Sequence, residues 1–179
     1  MGIVGAILGV IIGLFVLAWT QGLFGGGTSK VDEARAFELV SRLQANVKEG
    51  FFGQATYGTN ANLVPMLTAM GKVPGSARST GGTPPGPTIT GPHGGDIKIY
   101  GNGRRFHISV EDIGDAVCFN LGKRFAGAAA ADFGVVNIEV GTAADVTVNT
   151  AAPAVPTVSA VQGLCDEGAD ANHLTITFR

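Results

Sequence analysis

The chain opens with a long run of apolar side chains that carries no charge. No ionisable side chain precedes Lys30. As an α-helix rising about 1.5 Å per residue, the stretch from Ile3 to Phe24 spans about 33 Å, and the hydrocarbon core of a bilayer is about 30 Å thick. A secretory signal peptide has a positively charged start and a short apolar core, and this run has neither. Residues 1–27 are therefore predicted to form a transmembrane helix.

Glycines recur in this run in two different patterns. Three of them share one helical face because they lie four residues apart: Gly5, Gly9 and Gly13. Small residues in such register allow a second helix to approach closely, although glycine is also common in membrane helices in general. A further three are consecutive: Gly25, Gly26 and Gly27. Each costs about 1 kcal/mol relative to alanine inside a helix, so a melted or flexible joint is predicted there.

A second helix, amphipathic rather than uniformly apolar, is predicted within residues 28–53. Ser29 is a suitable N-cap, acidic residues follow it in the first turn, and Gly50 and Gly53 are expected to end the helix. Its apolar positions recur at three- and four-residue spacing: Ala36, Val40, Leu43, Val47 and Phe51. Such a stripe predicts that this helix packs on a globular domain.

Residues 54–95 lack a sustained period and are predicted to form a long loop between helix and sheet. A short helix is expected within residues 62–70, ended by Gly71 and Pro74. The stretch 75–95 is dense in Gly, Pro, Ser and Thr, which predicts a surface loop.

Over much of residues 96–179 the period changes to two, which predicts strands. Residues 96–110 are expected to form a hairpin around a turn at Gly101–Gly103. Asp112 is expected to cap an inserted helix that runs through Ile113 to Phe125. Further strand candidates are residues 135–140, 146–149, 155–161 and 173–179. The predicted fold class is α+β, with a long N-terminal helix packed on a mostly antiparallel sheet into which one helix is inserted.

The chain contains two cysteines, Cys118 and Cys165. In a domain that lies outside the cytoplasm, one disulfide is expected between them, closing a loop of about 48 residues. The alternative is two independent buried thiols.

Charge and candidate chemistry argue against catalysis and nucleic-acid binding. The formal net charge is −2 and the basic residues are scattered, so the electrostatic footprint of a nucleic-acid-binding protein is missing from the sequence. The histidines have no metal-ligand spacing and are expected at exposed strand or loop positions: His93, His107 and His173. The Gly101–Gly103 segment lacks the strand-turn-helix context of a phosphate loop, and Asp166 with Glu167 lacks an acid/base partner. We therefore predict no enzyme activity, cofactor or metal.

The order of these parts resembles type IV pilins, and the type IVb class in particular. Three local segments carry the resemblance: YGTNANLVPMLTAMGKVP at 57–74, ISVEDIGDAVCFNL at 108–121 and LCDEGADANHLTITF at 164–178. They are similar to that class's short-helix region, to its strand leading into the first-cysteine helix, and to its second cysteine with the terminal strand. The overall plan is also similar to pilins of plasmid-encoded conjugative thin pili.

The resemblance implies a life cycle and partners for the chain. Met1 would be the processed N-terminus left by a prepilin peptidase, and the subunit would wait in the inner membrane. Assembly machinery would then move it into a homopolymeric pilus on the bacterial surface, serving attachment, aggregation or conjugative mating. The 54–95 loop and the region from Cys118 to Cys165 would form the subunit surface. Alternatives are a minor pilin, a type II secretion pseudopilin, or a single-pass membrane-anchored binding domain.

One residue departs from the family pattern. Type IV pilins carry a glutamate at the fifth mature position, thought to pair with a neighbour's N-terminal amine, and this chain has Gly5 there. No acidic side chain occurs before Asp32. An unpaired amine in an apolar bundle is costly, so another group must compensate for it or solvent must reach it.

Overall fold

A computed structural model describes residues 31–74, 87–127, 129–141, 157–165 and 172–179. The expectations placed on residues 1–30, which include the apolar helix, the glycine stripe and the glycine joint, lie outside these ranges. No helix within the described ranges is both long and apolar enough to cross a bilayer.

Helix α1, seen at residues 31–50, buries the predicted stripe. Four of the five stripe residues are fully buried: Ala36, Val40, Leu43 and Val47. Phe51 follows in the closing turn, half-buried against the ring of Tyr57 at 5.0 Å between centroids. Gly53 then takes a positive φ of 80°, as expected for a residue that ends a helix. The opposite face of α1 is exposed and polar, so the amphipathic pattern sets its orientation.

The described strands form one antiparallel sheet in the order β1-β3-β4-β6-β5, with β2 pairing beside β1 on the same edge of β3. The strands are β1 Ala61–Asn62, β2 Ile89–Thr90, β3 Asp96–Asn102, β4 Arg105–Ile113, β5 Val135–Gly141 and β6 Asn172–Phe178. The remaining helices are α2 Val64–Ala69, α3 Asp115–Phe125, α4 Ala129–Phe133 and α5 Val158–Leu164. The predicted hairpin is β3–β4, in which Ile99 faces Ile108 across the ladder. Its turn is shorter than the predicted Gly101–Gly103 turn, because β3 continues to Asn102 and only residues 103–104 form the turn.

A single hydrophobic core joins the inner face of the sheet to α1 and α3. Alternate residues of the central strands are buried in it, because successive side chains of a strand point to opposite faces: Ile97, Ile99, Phe106, Ile108, Val110, Leu174, Ile176 and Phe178. The Phe106 and Phe178 rings stack at 5.2 Å. At Gly101 an added Cβ would lie 2.4 Å from the Tyr57 carbonyl oxygen, so only glycine allows the 57–58 segment to cross β3 here.

The structure corrects the predicted start of the inserted helix. Asp112 does not cap it, because β4 continues to Ile113, which pairs with Asn172 after a register shift. Asp112 lies in that shift with a positive φ of 55°. The helix instead begins at Asp115 after Gly114, and the Asp115 carboxylate accepts a 2.8 Å hydrogen bond from Asn172 Nδ2. Asp112 therefore lies in a β-bulge and not at the N-cap of a helix.

Two other expectations were wrong. The 155–161 segment is not a strand where it is described: Thr157 caps α5, its hydroxyl accepting from the backbone N–H of Ala160. The 75–95 segment is not all surface loop, because Ile89 is fully buried and pairs with Ile97. Helix α4 was not predicted, and the strand candidate at 146–149 lies outside the described residues.

Candidate functional site

A disulfide between Cys118 and Cys165 is confirmed. Cys118 lies in the first turn of α3 and Cys165 caps the C-terminus of α5. Their sulfurs are 2.07 Å apart, their Cα atoms 5.9 Å apart, and both residues are buried. The bond therefore attaches α5, a helix of seven residues that is too short to be stable alone, to the core.

A close contact between α3 and α5 accompanies the disulfide. A Cβ added at Gly122 would lie 2.7 Å from Cγ1 of Val161, so the glycine leaves room for the valine side chain. Val161 is fully buried, whereas Val158 and Leu164 on the same short helix are 37% and 42% exposed. Helix α5 thus packs through one residue and presents an uncharged surface outward.

Helices α3 and α4 hold α1 through aromatic and polar contacts. The Phe37 ring lies 5.3 Å from that of Phe125. The Arg124 guanidinium stands over Phe37 at 4.7 Å and pairs with Glu33 at 3.3 Å. Further along α1, Gln44 donates to the Phe133 carbonyl at 2.9 Å. These contacts hold α1 against α3 and α4 from Glu33 to Gln44.

Lys48 adds a cation to the same contact near the end of α1. Its Nζ donates to the Phe133 carbonyl oxygen at 3.3 Å. Burial, and secondly the positive charge of Arg179, lowers the pKa of Lys48. The Lys48 side chain thus donates a hydrogen bond close to a second positive charge, that of Arg179.

The opposite side of α1 is held by the segment that follows α2. Asn46 donates to the Lys72 carbonyl at 2.8 Å, and the Lys72 ammonium pairs with Glu49 at 2.8 Å. Gly50 lies against Met70, since a Cβ there would be 3.2 Å from the methionine sulfur. Beside this contact Phe52 is 91% exposed, which makes it the most exposed large hydrophobic side chain of the described residues.

An open cleft of about 380 Å³ lies between α1 and the segment around Pro92. Arg35 and Arg42 reach into it, and Arg42 is paired with Glu38 at 2.7 Å. The rest of its described lining is uncharged: Leu39, Pro74, Thr90, Gly91 and Pro92.

The histidines are not brought together. His107 lies on β4 and is 1% exposed, against the edge of the Tyr100 ring at 5.8 Å, so the expectation of an exposed position was wrong for it. His93 is half-buried and its Nε2 lies 3.1 Å from the Glu111 carbonyl oxygen. His173 is half-buried on β6. The described residues contain no group of three His, Cys, Asp or Glu that could hold a metal; Asp166 and Glu167 lie outside them.

His93 makes stability depend on pH. Burial lowers its pKa, a shift only partly opposed by the Glu111 carbonyl and the negative charges of Asp112 and Asp32. The unfolded chain therefore binds the proton more readily, so stability is lost as pH falls from about 6.5 toward the lowered pKa.

We expect His93→Gln, which keeps a donor for the Glu111 carbonyl, to flatten the dependence of unfolding free energy on pH between 7 and 5. One proton contributes at most about 1.4 kcal/mol per pH unit. Urea unfolding at several pH values measures this. An unchanged slope in the variant would contradict the assignment to His93.

The other residues predicted to matter lie outside the described ranges, and their roles stay predictions. They are Met1, Gly5, Gly9, Gly13, Gly25, Gly26 and Gly27.

Comparison with known proteins identifies the fold. No protein-family model matches the sequence, and no curated protein sequence matches it. Among solved structures, a type IVb pilin from Salmonella typhi is similar with a TM-score of 0.59 and 16% identity, covering 80% of this chain and 97% of that one. TcpA, a type IV pilin from Vibrio cholerae El Tor biotype, is similar with a TM-score of 0.58 and 17% identity, covering 83% of this chain and 99% of that one. The predicted resemblance to type IVb pilins is thus confirmed at the level of the fold.

Proposed function

We propose that this chain is a structural subunit that polymerises through its N-terminal segment into a type IV pilus on the bacterial surface. The observation that carries the proposal is the type IVb pilin fold, whose match covers 80% of this chain and nearly all of the related Salmonella typhi structure. The uncharged run of residues 1–29 leads directly into α1, the helix that packs on the sheet. The proposed filament-forming segment and the surface domain are therefore consecutive parts of one chain.

The attachment of α1 to the domain suits a subunit that transmits force. One side of α1 is held by Glu33–Arg124 and Phe37–Phe125, and the other by Asn46 and Glu49 with Lys72. A force applied to residues 1–30 is then transmitted to the sheet through several contacts at once. This is what a subunit pulled out of a membrane and held in a filament requires, and it needs neither a cofactor nor catalysis.

Two environments suit the apolar run equally well. In the inner membrane its side chains face lipid, and in a filament core they face the same run of neighbouring subunits. The stripe of Gly5, Gly9 and Gly13 would allow close helix approach in both. A prepilin peptidase that exposes Met1 and the pilus assembly machinery are the partners this cycle requires.

Gly5 favours a second candidate function. Without a carboxylate at this position, the N-terminal amine needs helix-end carbonyls, Thr20 or Gln21 of neighbours, a neutral state or solvent. A minor pilin or type II secretion pseudopilin is needed in few copies, so it would tolerate weaker compensation of the N-terminal amine. Stoichiometry separates the candidates, because a major pilin is the principal protein of its filament. A membrane-anchored binding domain would instead remain monomeric in the membrane fraction.

We expect electron microscopy of material sheared from cells that express this chain to show long filaments. Mass spectrometry of that material should find this chain as its main component. A substoichiometric amount beside another pilin would overturn the major-pilin proposal and favour the minor-pilin one.

Gly9→Leu is expected to reduce filament yield at least tenfold, because a leucine in the glycine stripe holds neighbouring helices apart. Leu14→Ile is the matched control, since it changes shape in the same run without touching the stripe. Oxidation of both cysteines in the variant, seen as an intact mass two hydrogens below the reduced mass, reports that the domain still folds. Normal filaments from Gly9→Leu would contradict the packing role of the stripe.

A further inference from the structure

A separate cavity of about 330 Å³ lies at the end of α1, about 30 Å along the helix from residue 31. Its described lining comes from the turn after α1, the segment that follows it and the β3–β4 turn: Phe51, Gln54, Ala55, Thr56, Tyr57 and Arg104. Small-molecule sites in proteins commonly measure about 300–1,000 Å³ and combine aromatic surface with a few polar groups. The cavity therefore has the size and composition of a site for one small ligand.

Backbone hydrogen bonds hold the walls of this cavity in place. The Tyr57 N–H donates to the Gly103 carbonyl oxygen at 2.7 Å, and the Gly103 N–H donates to the Gly58 carbonyl oxygen at 2.8 Å. The Gln54 N–H donates in turn to the Phe51 carbonyl oxygen at 2.9 Å. Because the cavity is formed before a ligand arrives, binding requires little additional ordering of the chain.

Aromatic rings supply the apolar part of the lining. The rings of Phe51 and Tyr57 lie 5.0 Å apart, and Tyr57 also packs on Phe106 at 4.9 Å. Phe106 is fully buried, so the core supports the pair, while Phe51 and Tyr57 are only half-buried. A partly exposed aromatic ring offers a flat apolar surface on which the C–H face of a pyranose ring can stack.

Arg104 adds a positive charge to this aromatic surface. It is exposed in the β3–β4 turn, the described lining contains no acidic residue, and no carboxylate of the described residues pairs with it. A guanidinium binds a carboxylate through two parallel hydrogen bonds. Gln54, also exposed, carries an amide that can both donate to and accept from hydroxyl groups.

We propose that this cavity binds a pyranose sugar that carries a carboxylate, with the sugar ring on Phe51 and Tyr57 and the carboxylate on Arg104. Aromatic rings alone would suit a neutral sugar, and a guanidinium alone would suit any small anion. Their combination, with the Gln54 amide for hydroxyl groups, favours a ligand that has all three features. The inference goes beyond the proposed structural role, because polymerisation requires no ligand.

Nuclear magnetic resonance of the full chain, dispersed in a detergent without a sugar headgroup, tests the site. Glucuronic acid is the probe, and glucose and acetate are control ligands that carry the ring alone and the carboxylate alone. We expect glucuronate to shift the ring signals of Tyr57. Its Kd should be at least about tenfold lower than that of either control, because the charged contact adds to the stacking.

Arg104→Gln should weaken glucuronate binding at least about tenfold, since the variant loses the charge and keeps the rings. Arg35→Gln is the matched control, because Arg35 is an exposed arginine of α1 outside the lining of this cavity, and it should leave the Kd unchanged. The Tyr57 amide signal, which reports the hydrogen bond to Gly103, should keep its position in both variants and so show that the cavity is intact.

Three results would overturn the proposal: glucose binding as tightly as glucuronate, acetate binding as tightly as glucuronate, or no shift of the Tyr57 signals at the highest soluble glucuronate concentration. An equal loss of binding in Arg35→Gln would contradict the assignment to Arg104. The measurement uses dispersed subunits, so its outcome does not depend on polymerisation. Absence of filaments from the unmodified chain would overturn the proposed function alone.

Discussion

Replacing both Cys118 and Cys165 with alanine should lower the free energy of unfolding by about 2–5 kcal/mol. The two residues are separated by 47 positions, and closing a loop of that size removes about 4 kcal/mol of freedom from the unfolded chain on the chain-entropy model. Without the bond α5 is held mainly by Val161 against Gly122. Urea unfolding of the full chain in detergent, followed by circular dichroism, gives the difference.

Chemical reduction of the native chain is the matched control, because it breaks the bond while keeping both sulfur atoms in the core. The reduced protein and the double alanine variant should lose similar stability, with the variant slightly worse for its missing sulfur volume. A loss that appears only in the variant would show that packing, not the bond, stabilises this side of the domain. Filament yield should fall with either treatment, because α5 no longer keeps a fixed position at the surface.

The parts of the fold that the sequence predicts well are those with long, regular patterns. The stripe of α1 repeats over four turns, so burial of Val40 and Val47 follows from spacing alone. The β3–β4 hairpin combines alternation with a Gly-rich turn, and the two signals agree. The disulfide could be predicted because two cysteines in an oxidising location are expected to form one.

Short elements were misjudged because one local signal admits two interpretations. Asp112 before a helical pattern looks like an N-cap, but pairing of Ile113 with Asn172 extends the strand and leaves Asp112 in a bulge. Around α5, residues 155–161 were predicted to be a short strand. Thr157 as a cap, with Val158, Val161 and Leu164 at three-residue spacing, was the available helical signal.

The exposure of single apolar side chains could not be derived from the sequence, since exposure depends on which elements meet. Phe51 and Phe52 are adjacent and chemically identical, yet Phe51 packs on Tyr57 while Phe52 points into solvent. Gly122 gives no sign in sequence that its missing Cβ makes room for Val161. Such facts follow from tertiary packing, which local patterns do not encode.

Phe125→Ala should destabilise the domain by about 3–5 kcal/mol and loosen α1 from the sheet. Phe125 is fully buried at the point where α1, α3, α4 and β6 meet. Its ring lies 5.3 Å from Phe37, 5.0 Å from Phe133 and 5.9 Å from Phe178. Removing it leaves a cavity and ends three aromatic contacts, each contributing about 0.5–1.5 kcal/mol beyond area burial.

Phe52→Ala is the matched control, because it deletes the same atoms from a side chain that is 91% exposed and should change stability by less than about 0.5 kcal/mol. The two variants should also differ in filament yield. Phe125→Ala is expected to lose stability and, through the loosened α1, filaments as well, whereas Phe52→Ala keeps the stability of the monomer. Urea unfolding paired with filament yield tests both. Equal stability of the two variants would contradict the central place of Phe125 in the core.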